Sequence, residues 1–454
     1  MLLLRKLGFC INEDKSILVP TKRIEYLGNV IDSENMTVTL PERRIEKILH
    51  SCTLLLGKKR EKIREVARVI GLLVAAIPAV EMGKLLYRNL EMAKIAALQT
   101  NGGNFDRWMP VSEDMRKDLQ WWVTQVTAQN RKIFRDCPDI ELYSDASDSG
   151  WGGCLNTQTT GGRWFREETQ LHINARELKA ILFTLQSFEH AVRGKHVRVF
   201  SDNTTAITYV NEMGGTKSRS CNTISAEIWT WCVERDVWLT CSHIPGKHNI
   251  LAVTASRKFN NRPEWKLDEK IFHDICKIFG TPSIDLFASH LNKQISHYCS
   301  WKPDPEAEFF DAFSINWAQF ELVYIFPPFS LISRCLQKLR LEQARGWLVV
   351  PLWPSQPWMG TLLRLLVQEP LLITKTSKVL TLPFSTEDHP IMRHTKLLAC
   401  LLSGNSCEPE AFRLWVGTSS WPPGSQGPRN STIHMLPDGC NFVVDGISIP
   451  SVPL

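Results

Sequence analysis

The hydrophobic pattern changes character three times along the chain. Ile24 to Ile31 is rich in strand formers, Asp32 to Asn35 is turn-like, and Met36 to Leu40 alternates apolar with polar. That pattern predicts a hairpin. Pro41 then opens a helix with Ile45, Ile48, Leu49 and Cys52 at helical spacing. More helix is expected from Glu61 to about Leu98, broken near Pro78, and another from Met115 to Val126 after the Asn101-Gly102-Gly103-Asn104 linker. From Ile140 the pattern turns to α/β. Strands are expected at Ile140–Ser144, Trp151–Leu155, Arg163–Phe165, Val197–Ser201 and Trp238–His243. Helices are expected at Glu177–Val192, Thr204–Val210 and Thr223–Arg235. A second α/β run spans Leu267 to about Leu402, with strands at Ser283–Phe287, Leu322–Phe326, Gly346–Pro351 and Leu371–Thr374 and a helix at Leu331–Ala344. Such alternation favours a parallel sheet. Past Gly404 the chain is rich in Pro, Gly and Ser, as in Trp421-Pro422-Pro423-Gly424-Ser425, and is expected to be mostly unstructured. The organisation expected is therefore 1–100, a linker and connecting helix at 101–137, 138–260, 267–403 and a tail at 404–454.

Composition narrows the class. With 43% hydrophobic and 22% charged residues, the 454-residue chain is globular rather than disordered. Its net charge of +6 permits a nucleic-acid partner without demanding one. The thirteen cysteines are scattered and include no C-x-x-C pair, which disfavours a disulfide framework and a zinc ribbon and fits a reducing compartment better. The start is too short in apolar residues for a signal peptide, and the longest apolar run, Val69 to Val80, falls short of the ~20 residues of a membrane span. An intracellular protein of cytoplasm or nucleus, with no membrane partner, is expected. Asn430-Ser431-Thr432 matches a glycosylation sequon, but without a secretory signal it reads as an exposed polar loop.

Candidate chemistry centres on three acids. Asp145 and Asp202 each sit at the end of an expected strand, and Glu177 opens the helix between them. In an α/β sheet, strand C-termini and helix N-termini converge on one rim. Three carboxylates there repel one another unless cations neutralise them, and oxygen ligands suit Mg²⁺, with Mn²⁺ as the alternative. A pair of such ions can activate water and stabilise the leaving oxygen of a phosphodiester. The bland alternative makes Asp145 and Asp202 turn residues and Glu177 the acid of a capping box with Asn174 as N-cap.

Residues 140–258 resemble a type-1 RNase H domain of the reverse-transcriptase kind. The resemblance implies that Asp145, Glu177 and Asp202 are catalytic metal ligands, that His243 in Ser242-His243-Ile244-Pro245-Gly246 assists product release, and that Asn174 contacts the hybrid. It also places a fourth metal-binding acid ten residues after that histidine, where this chain has Val253. Valine offers no ligand atom, so weakened or absent cleavage is expected.

The flanks extend the resemblance. Leu7-Gly8-Phe9 with Asn12, Lys15 and Ser16, then Tyr26-Leu27-Gly28, resemble the end of a reverse-transcriptase palm and its primer-grip hairpin, followed by thumb and connection helices. No Tyr-x-Asp-Asp motif is present, so the polymerase region would lie upstream and polymerase activity is not expected. Asp285-Leu286-Phe287-Ala288-Ser289, Pro303-Asp304-Pro305, Asp311-Ala312-Phe313 and Phe326-Pro327-Pro328-Phe329 resemble the methyltransferase-like module of DIRS-type (tyrosine-recombinase) retrotransposons. Phe326 cannot accept the hydrogen bond an adenine methyltransferase makes there, and Ser289 stands where the cofactor loop has glycine. A degenerate Rossmann-like module is expected, and no cofactor-binding residue is assigned.

The fold class expected is α/β and multi-domain: an RNase H-like mixed sheet with flanking helices, preceded by a palm-end and thumb fragment and followed by the Rossmann-like module. The function expected is hydrolysis of the RNA strand of RNA–DNA hybrids. The rivals are a catalytically dead nucleic-acid-binding relic, a DNA adenine methyltransferase, and a transposase or integrase of the same superfold. Trp121, Trp122, Trp229 and Trp231 fall at helical positions and are expected in the core. Lys195, Arg198, Lys217, Arg219 and Lys247 are expected to be a solvated face.

Overall fold

The computed structural model describes residues 2–12, 16–17, 19–259, 264–374, 378–393, 395–420, 434–436 and 439–454. Lys15, the Trp421–Ser425 run and the Asn430-Ser431-Thr432 triplet lie outside them. The chain forms two compact units, Met1–Asp139 with Thr205–Cys241, and Ile140–Thr204 with Ser242–Leu454.

After a short helix, Leu2–Lys6, the first unit has strands β1 (Arg23–Tyr26), β2 (Asn29–Asp32) and β3 (Thr37–Thr39), paired antiparallel in that order. The expected single strand at 24–31 is thus two. Leu27 and Gly28 both have positive φ and form the tight turn that divides it. Helix α1 (Glu42–Leu56) starts after Pro41, as expected. Strand β4 (Arg60–Lys62) leads into α2 (Ile63–Ala76), which ends at the Pro78 turn, and α3 (Arg88–Thr100) follows. Strand β5 (Trp108–Pro110) pairs with β4, and α4 (Glu113–Gln125) is capped by the Ser112 side chain. Ile48, Ile63, Val66, Leu73, Leu119 and Trp122 make the core between these helices.

The second unit holds two principal sheets, besides smaller two- and three-stranded ones. In the first, β6 (Ile140–Ala146), β7 (Gly150–Leu155) and β8 (Gln158–Arg163) form an antiparallel meander. Asn156, at φ 54°, supplies the left-handed conformation of the β7–β8 hairpin turn. The third strand lies earlier than the expected Arg163–Phe165, because the polar Thr/Gly stretch that separates the two expected strands is itself the strand. Helix α5 (Ile173–Ser187) follows, and β9 (His196–Ser201) then pairs parallel to β6, with Val197 opposite Ile140 and Phe200 opposite Tyr143. The chain passes through α6 (Thr204–Asn211) and α7 (Arg219–Glu234). Strand β10 (Trp238–His243) begins in the first unit and ends in the second, and α8 (Ile250–Ala255) follows.

Four glycines in the meander, Gly150, Gly152, Gly153 and Gly161, sit where a Cβ would meet another atom closer than 3.0 Å. A Cβ on Gly152 would meet the Ala252 carbonyl oxygen at 2.3 Å and the Ser256 nitrogen at 2.5 Å. A Cβ on Gly161 would meet the Ala255 carbonyl at 2.9 Å. Backbone against backbone, α8 sits directly on β7 and β8 only because side chains are missing there.

After α9 (Glu269–Phe279) comes the second sheet. Its strands are β11 (Ile284–Asp285), β12 (Val323–Ile325), β13 (Arg345–Pro351), β14 (Leu371–Ile373), β15 (Leu397–Ser403) and β16 (Val452–Pro453). The spatial order is β11-β12-β13-β15-β14-β16. The first three are parallel, as expected, with helix α10 (Ile332–Leu341) before β13. Strand β15 then inserts antiparallel between β13 and β14, so the sheet is mixed rather than parallel. All seven residues of β15 are buried. A strand covered on both faces shows no alternation, which is why its sequence did not distinguish it from helix or core.

The stretch expected as an unstructured tail contains helix α11 (Cys407–Ser420) and a hairpin of Gly439–Val444 with Ile447–Pro450, besides β16. Phe442, Val444 and Ile449 join the core of the second sheet. Among the described residues, no helix is long and apolar enough to cross a membrane.

Candidate metal-binding acidic site

Three elements of the second unit bring the acids together. Asp145 is the penultimate residue of β6, Asp202 follows the last residue of β9, and parallel pairing of β6 with β9 places both at the same edge. Glu177 lies one turn into α5, which packs on β6 and β7. Oxygen atoms of Asp145, Glu177 and Asp202 all fall within 4.8 Å of one another. Asp145 and Glu177 are buried and Asp202 is exposed, so the cluster has one open side.

The capping-box alternative for Glu177 fails. The N-cap of α5 is His172, whose ring nitrogen Nδ1 accepts from the Asn174 N–H at 3.2 Å. Asn174 is inside the helix, and its side-chain oxygen accepts from Asn203 Nδ2 at 3.0 Å, beside Asp202.

The electrostatics are adverse without a cation. Burial pushes the Glu177 carboxyl up to about 9, and the charges of Asp145 and Asp202 add to the effect. The Ala146 N–H and Ser201 hydroxyl pull the other way. Asp145 is raised by burial, opposed by the Ser256 hydroxyl, which donates to its Oδ2 at 2.6 Å. Glu177 Oε2 is buried with no hydrogen-bond partner. A buried acceptor left bare costs free energy. Two buried carboxylates, a third at the mouth and an orphaned oxygen form an all-oxygen donor set that fits a hard divalent cation.

His243, the last residue of β10, is exposed. The loop after it lies against the Asp202 corner. Ile244 N donates to the Ser201 carbonyl at 3.0 Å, and a Cβ on Gly246 would come within 2.9 Å of Asp202 Oδ2. Val253 is in the middle of α8 and half-buried. Sequence reasoning missed Ser256, Ser201 and Gly246. A lone serine or glycine beside a motif carries no periodic or spacing signal, and only the fold shows what each touches.

The second α/β run tells a different story. Asp285 accepts from Gln294 N at 3.1 Å and Phe287 N at 3.4 Å, and burial pushes it up to about 7. Asp304 accepts from His290 N at 2.6 Å and from the Tyr298 hydroxyl at 3.2 Å. Asp311 accepts from Phe313 N at 3.0 Å. Each is engaged in holding a turn. Ser289, Asp311 and Pro328 help line a cavity of about 430 Å³ beyond the ends of β11 and β12. Trp122, Trp229 and Trp231 are buried, as expected for core residues, whereas Trp121, expected with them, is only half-buried. Arg198 pairs with Glu141 at 3.7 Å and Arg219 with Asp114 at 3.3 Å, as on a solvated face.

Residues 138–231 match the family model described as the RNase H-like domain found in reverse transcriptase. The chain therefore carries a reverse-transcriptase-associated RNase H-like domain. The match includes Asp145, Asn174, Glu177 and Asp202 and stops before His243 and Val253. The chain is also distantly similar to a viral enzymatic polyprotein. That of Cauliflower mosaic virus (strain Strasbourg) is 24% identical over 205 residues, covering 39% of this chain and 28% of the relative. That of strain NY8153 is 25% identical over 177 residues, covering 33% and 25%. The chain thus spans little more than a quarter of these relatives. Among solved structures, RNase H1 from the halophilic archaeon Halobacterium salinarum NRC-1 is similar at 16% identity and a TM-score of 0.22, covering 26% of this chain and 92% of that one. The foamy viral protease-reverse transcriptase in complex with RNA/DNA hybrid is similar at 13% identity and a TM-score of 0.23, covering 54% and 33%. Likeness at these TM-scores adds nothing to the family match.

Proposed function

We propose that the RNase H-like domain hydrolyses the RNA strand of RNA–DNA hybrids, with Asp145, Glu177 and Asp202 holding divalent metal ions, Mg²⁺ or Mn²⁺. The observation that carries this reading is the meeting of the three acids within 4.8 Å, with Glu177 Oε2 buried and unpartnered. Bound divalent ions would supply an activated water and stabilisation of the leaving oxygen. The chain's own residues do the rest. Ser256 orients Asp145, Asn174 and Asn203 form a polar pair beside Asp202, and His243 stands exposed beside the loop that abuts Asp202, where it can assist product departure. The hybrid would be read by shape and 2′-hydroxyls rather than by sequence.

Val253 supplies no ligand atom, and we infer that it impairs turnover. The test is nicking of an RNA–DNA hybrid in Mg²⁺ by the wild type, Asp145→Asn and Val253→Asp. Weak cleavage by the wild type, none by Asp145→Asn and faster cleavage by Val253→Asp are expected. Equal rates for wild type and Val253→Asp would refute the impairment. Hybrid binding without cleavage by any of the three would leave a binding protein instead of a nuclease.

A further inference from the structure

The first unit carries a second feature that the acidic site does not use. Residues 57–68 and 105–110 hold seven cations, Lys58, Lys59, Arg60, Lys62, Arg64, Arg68 and Arg107, against three anions, Glu61, Glu65 and Asp106. That surplus of four compares with six for the entire chain. The three anions are each engaged by one cation. Glu61 pairs with Lys58, Glu65 with Arg68 at 2.8 Å, and Asp106 with Arg64 at 2.9 Å. Lys59, Arg60, Lys62 and Arg107 make no ion pair among the described residues, and all four are exposed.

The backbone gathers Arg60 and Lys62 on one surface with Trp108, and Lys59 and Arg107 are exposed where the ribbon continues past each strand. Strands β4 and β5 pair antiparallel, with Lys62 opposite Trp108 and Arg60 opposite Pro110. Alternation sends Glu61 and Met109 inward, both buried, and leaves Arg60, Lys62, Trp108 and Pro110 on the outer face. Three further backbone bonds extend the ribbon: Ile63 N to the Arg107 carbonyl at 2.9 Å, Arg64 N to the Phe105 carbonyl at 2.9 Å, and Val111 N to the Lys59 carbonyl at 3.0 Å. The ribbon is thus anchored and its outer face preset. Trp108 is 52% exposed among these cations, unlike the buried Trp122 of the same unit. A large aromatic ring left in water beside four unpaired cations gains nothing for the core.

We propose that this ribbon is a binding platform for single-stranded nucleic acid, with phosphates at Lys59, Arg60, Lys62 and Arg107 and an unpaired base stacked on Trp108. Cations that track a backbone, combined with an exposed ring, are what sequence-tolerant single-strand binding requires. An intact duplex offers the phosphates but no free base face, which is why the exposed ring favours the single strand. The platform stands apart from the nuclease reading and is testable without any metal.

The test uses the full chain in EDTA and fluorescence anisotropy with two probes, a labelled oligothymidylate and a blunt DNA duplex. The triple variant Lys59→Gln, Arg60→Gln, Lys62→Gln is expected to bind oligothymidylate more weakly. The slope of log affinity against log salt should fall by about two, at ~0.7 per lost phosphate contact. Trp108→Ala is expected to lose about five- to a hundred-fold in oligothymidylate affinity, the range for one stacked base, with the salt slope and duplex affinity unchanged. Trp108→Phe should keep most of the affinity. Matching thermal melts would show that the variants fold. Unchanged oligothymidylate binding in the triple variant, or equal losses of duplex and single strand in Trp108→Ala, would overturn the proposal.

Discussion

At the scale of single residues, Ser256 and Glu177 decide whether the acidic cluster can hold a charge from outside. The Ser256 hydroxyl, donating to Asp145 Oδ2, is a positioning contact behind a proposed metal ligand. Loss of such contacts elsewhere costs about 10–100-fold in metal affinity or activity. Ser256→Ala is therefore expected to shift the divalent-ion dependence of hybrid nicking upward by that order, which a Mg²⁺ titration would read; an unchanged titration would remove Ser256 from the site. Glu177 makes a pH prediction. Its folded-state value of about 9 lies above the ordinary carboxyl value of 4.5, so the fold favours the protonated form. The stability it contributes is full below about 4.5 and is lost as pH rises towards about 9. In metal-free buffer the melting temperature of the wild type should therefore fall more between about pH 5 and 9 than that of Glu177→Gln. Saturating Mg²⁺ should narrow the difference by stabilising only the wild-type carboxylate. Parallel pH profiles in EDTA would contradict the repulsion on which the site rests.

At the scale of elements, the contact between α8 and the glycine-rich strands β7 and β8 matters most. Helix α8 leads directly to Ser256 and is held from both ends. Asn249 Nδ2 donates to the Ser144 carbonyl at 2.9 Å, and the Ser147 hydroxyl donates to the Ser256 carbonyl at 2.6 Å. Gly152→Ala would place a methyl group against two backbone atoms of this helix, neither of which can rotate away. Overpacking of this kind costs about 1–3 kcal/mol. Gly152→Ala should lower the urea midpoint accordingly and weaken nicking through displacement of Ser256. By contrast, Gly71→Ala lies in the interior of α2, where an added Cβ meets nothing within 4 Å, and should raise the urea midpoint by the ~0.5–1 kcal/mol that alanine gains over glycine in a helix while leaving nicking unchanged.

At the scale of the whole molecule, the second unit is notable for joining the RNase H-like strands to the C-terminal sheet. The His290 ring packs against Trp151, Phe165 and Phe183. The Thr160 hydroxyl donates to the Pro303 carbonyl at 2.6 Å, and Lys302 donates to the Gly161 carbonyl. Burial lowers the Lys302 ammonium from its ordinary value, against the pull of Asp304 and Glu264. The Pro303-Asp304-Pro305 motif thus serves here as packing against β8. A chain ending at residue 259 would expose Trp151 and leave Thr160 and Gly161 without these partners. It should melt well below the full chain and expose apolar surface to a dye such as ANS. A truncated chain as stable as the intact one would show that the contacts contribute nothing.

Much of the site was legible before any coordinates. Asp145 and Asp202 follow strand-forming runs, and Glu177 stands at the start of an apolar helical stripe, so their convergence follows from how α/β chains place strand and helix ends. The alternation around β6 and β9 and the periodicity of α1 and α5 are local properties, and local properties survive in a one-dimensional string. What the string could not hold was anything set by a partner distant in sequence. The antiparallel insertion of β15 depends on covering both of its faces. The structure of residues 407–454 depends on a core supplied by earlier strands. Ser256 and Gly246 matter only for what lies across from them. The burial that lifts Glu177, and leaves its Oε2 bare, comes into existence only when the chain folds around it, because desolvation belongs to a three-dimensional neighbourhood and not to a residue type.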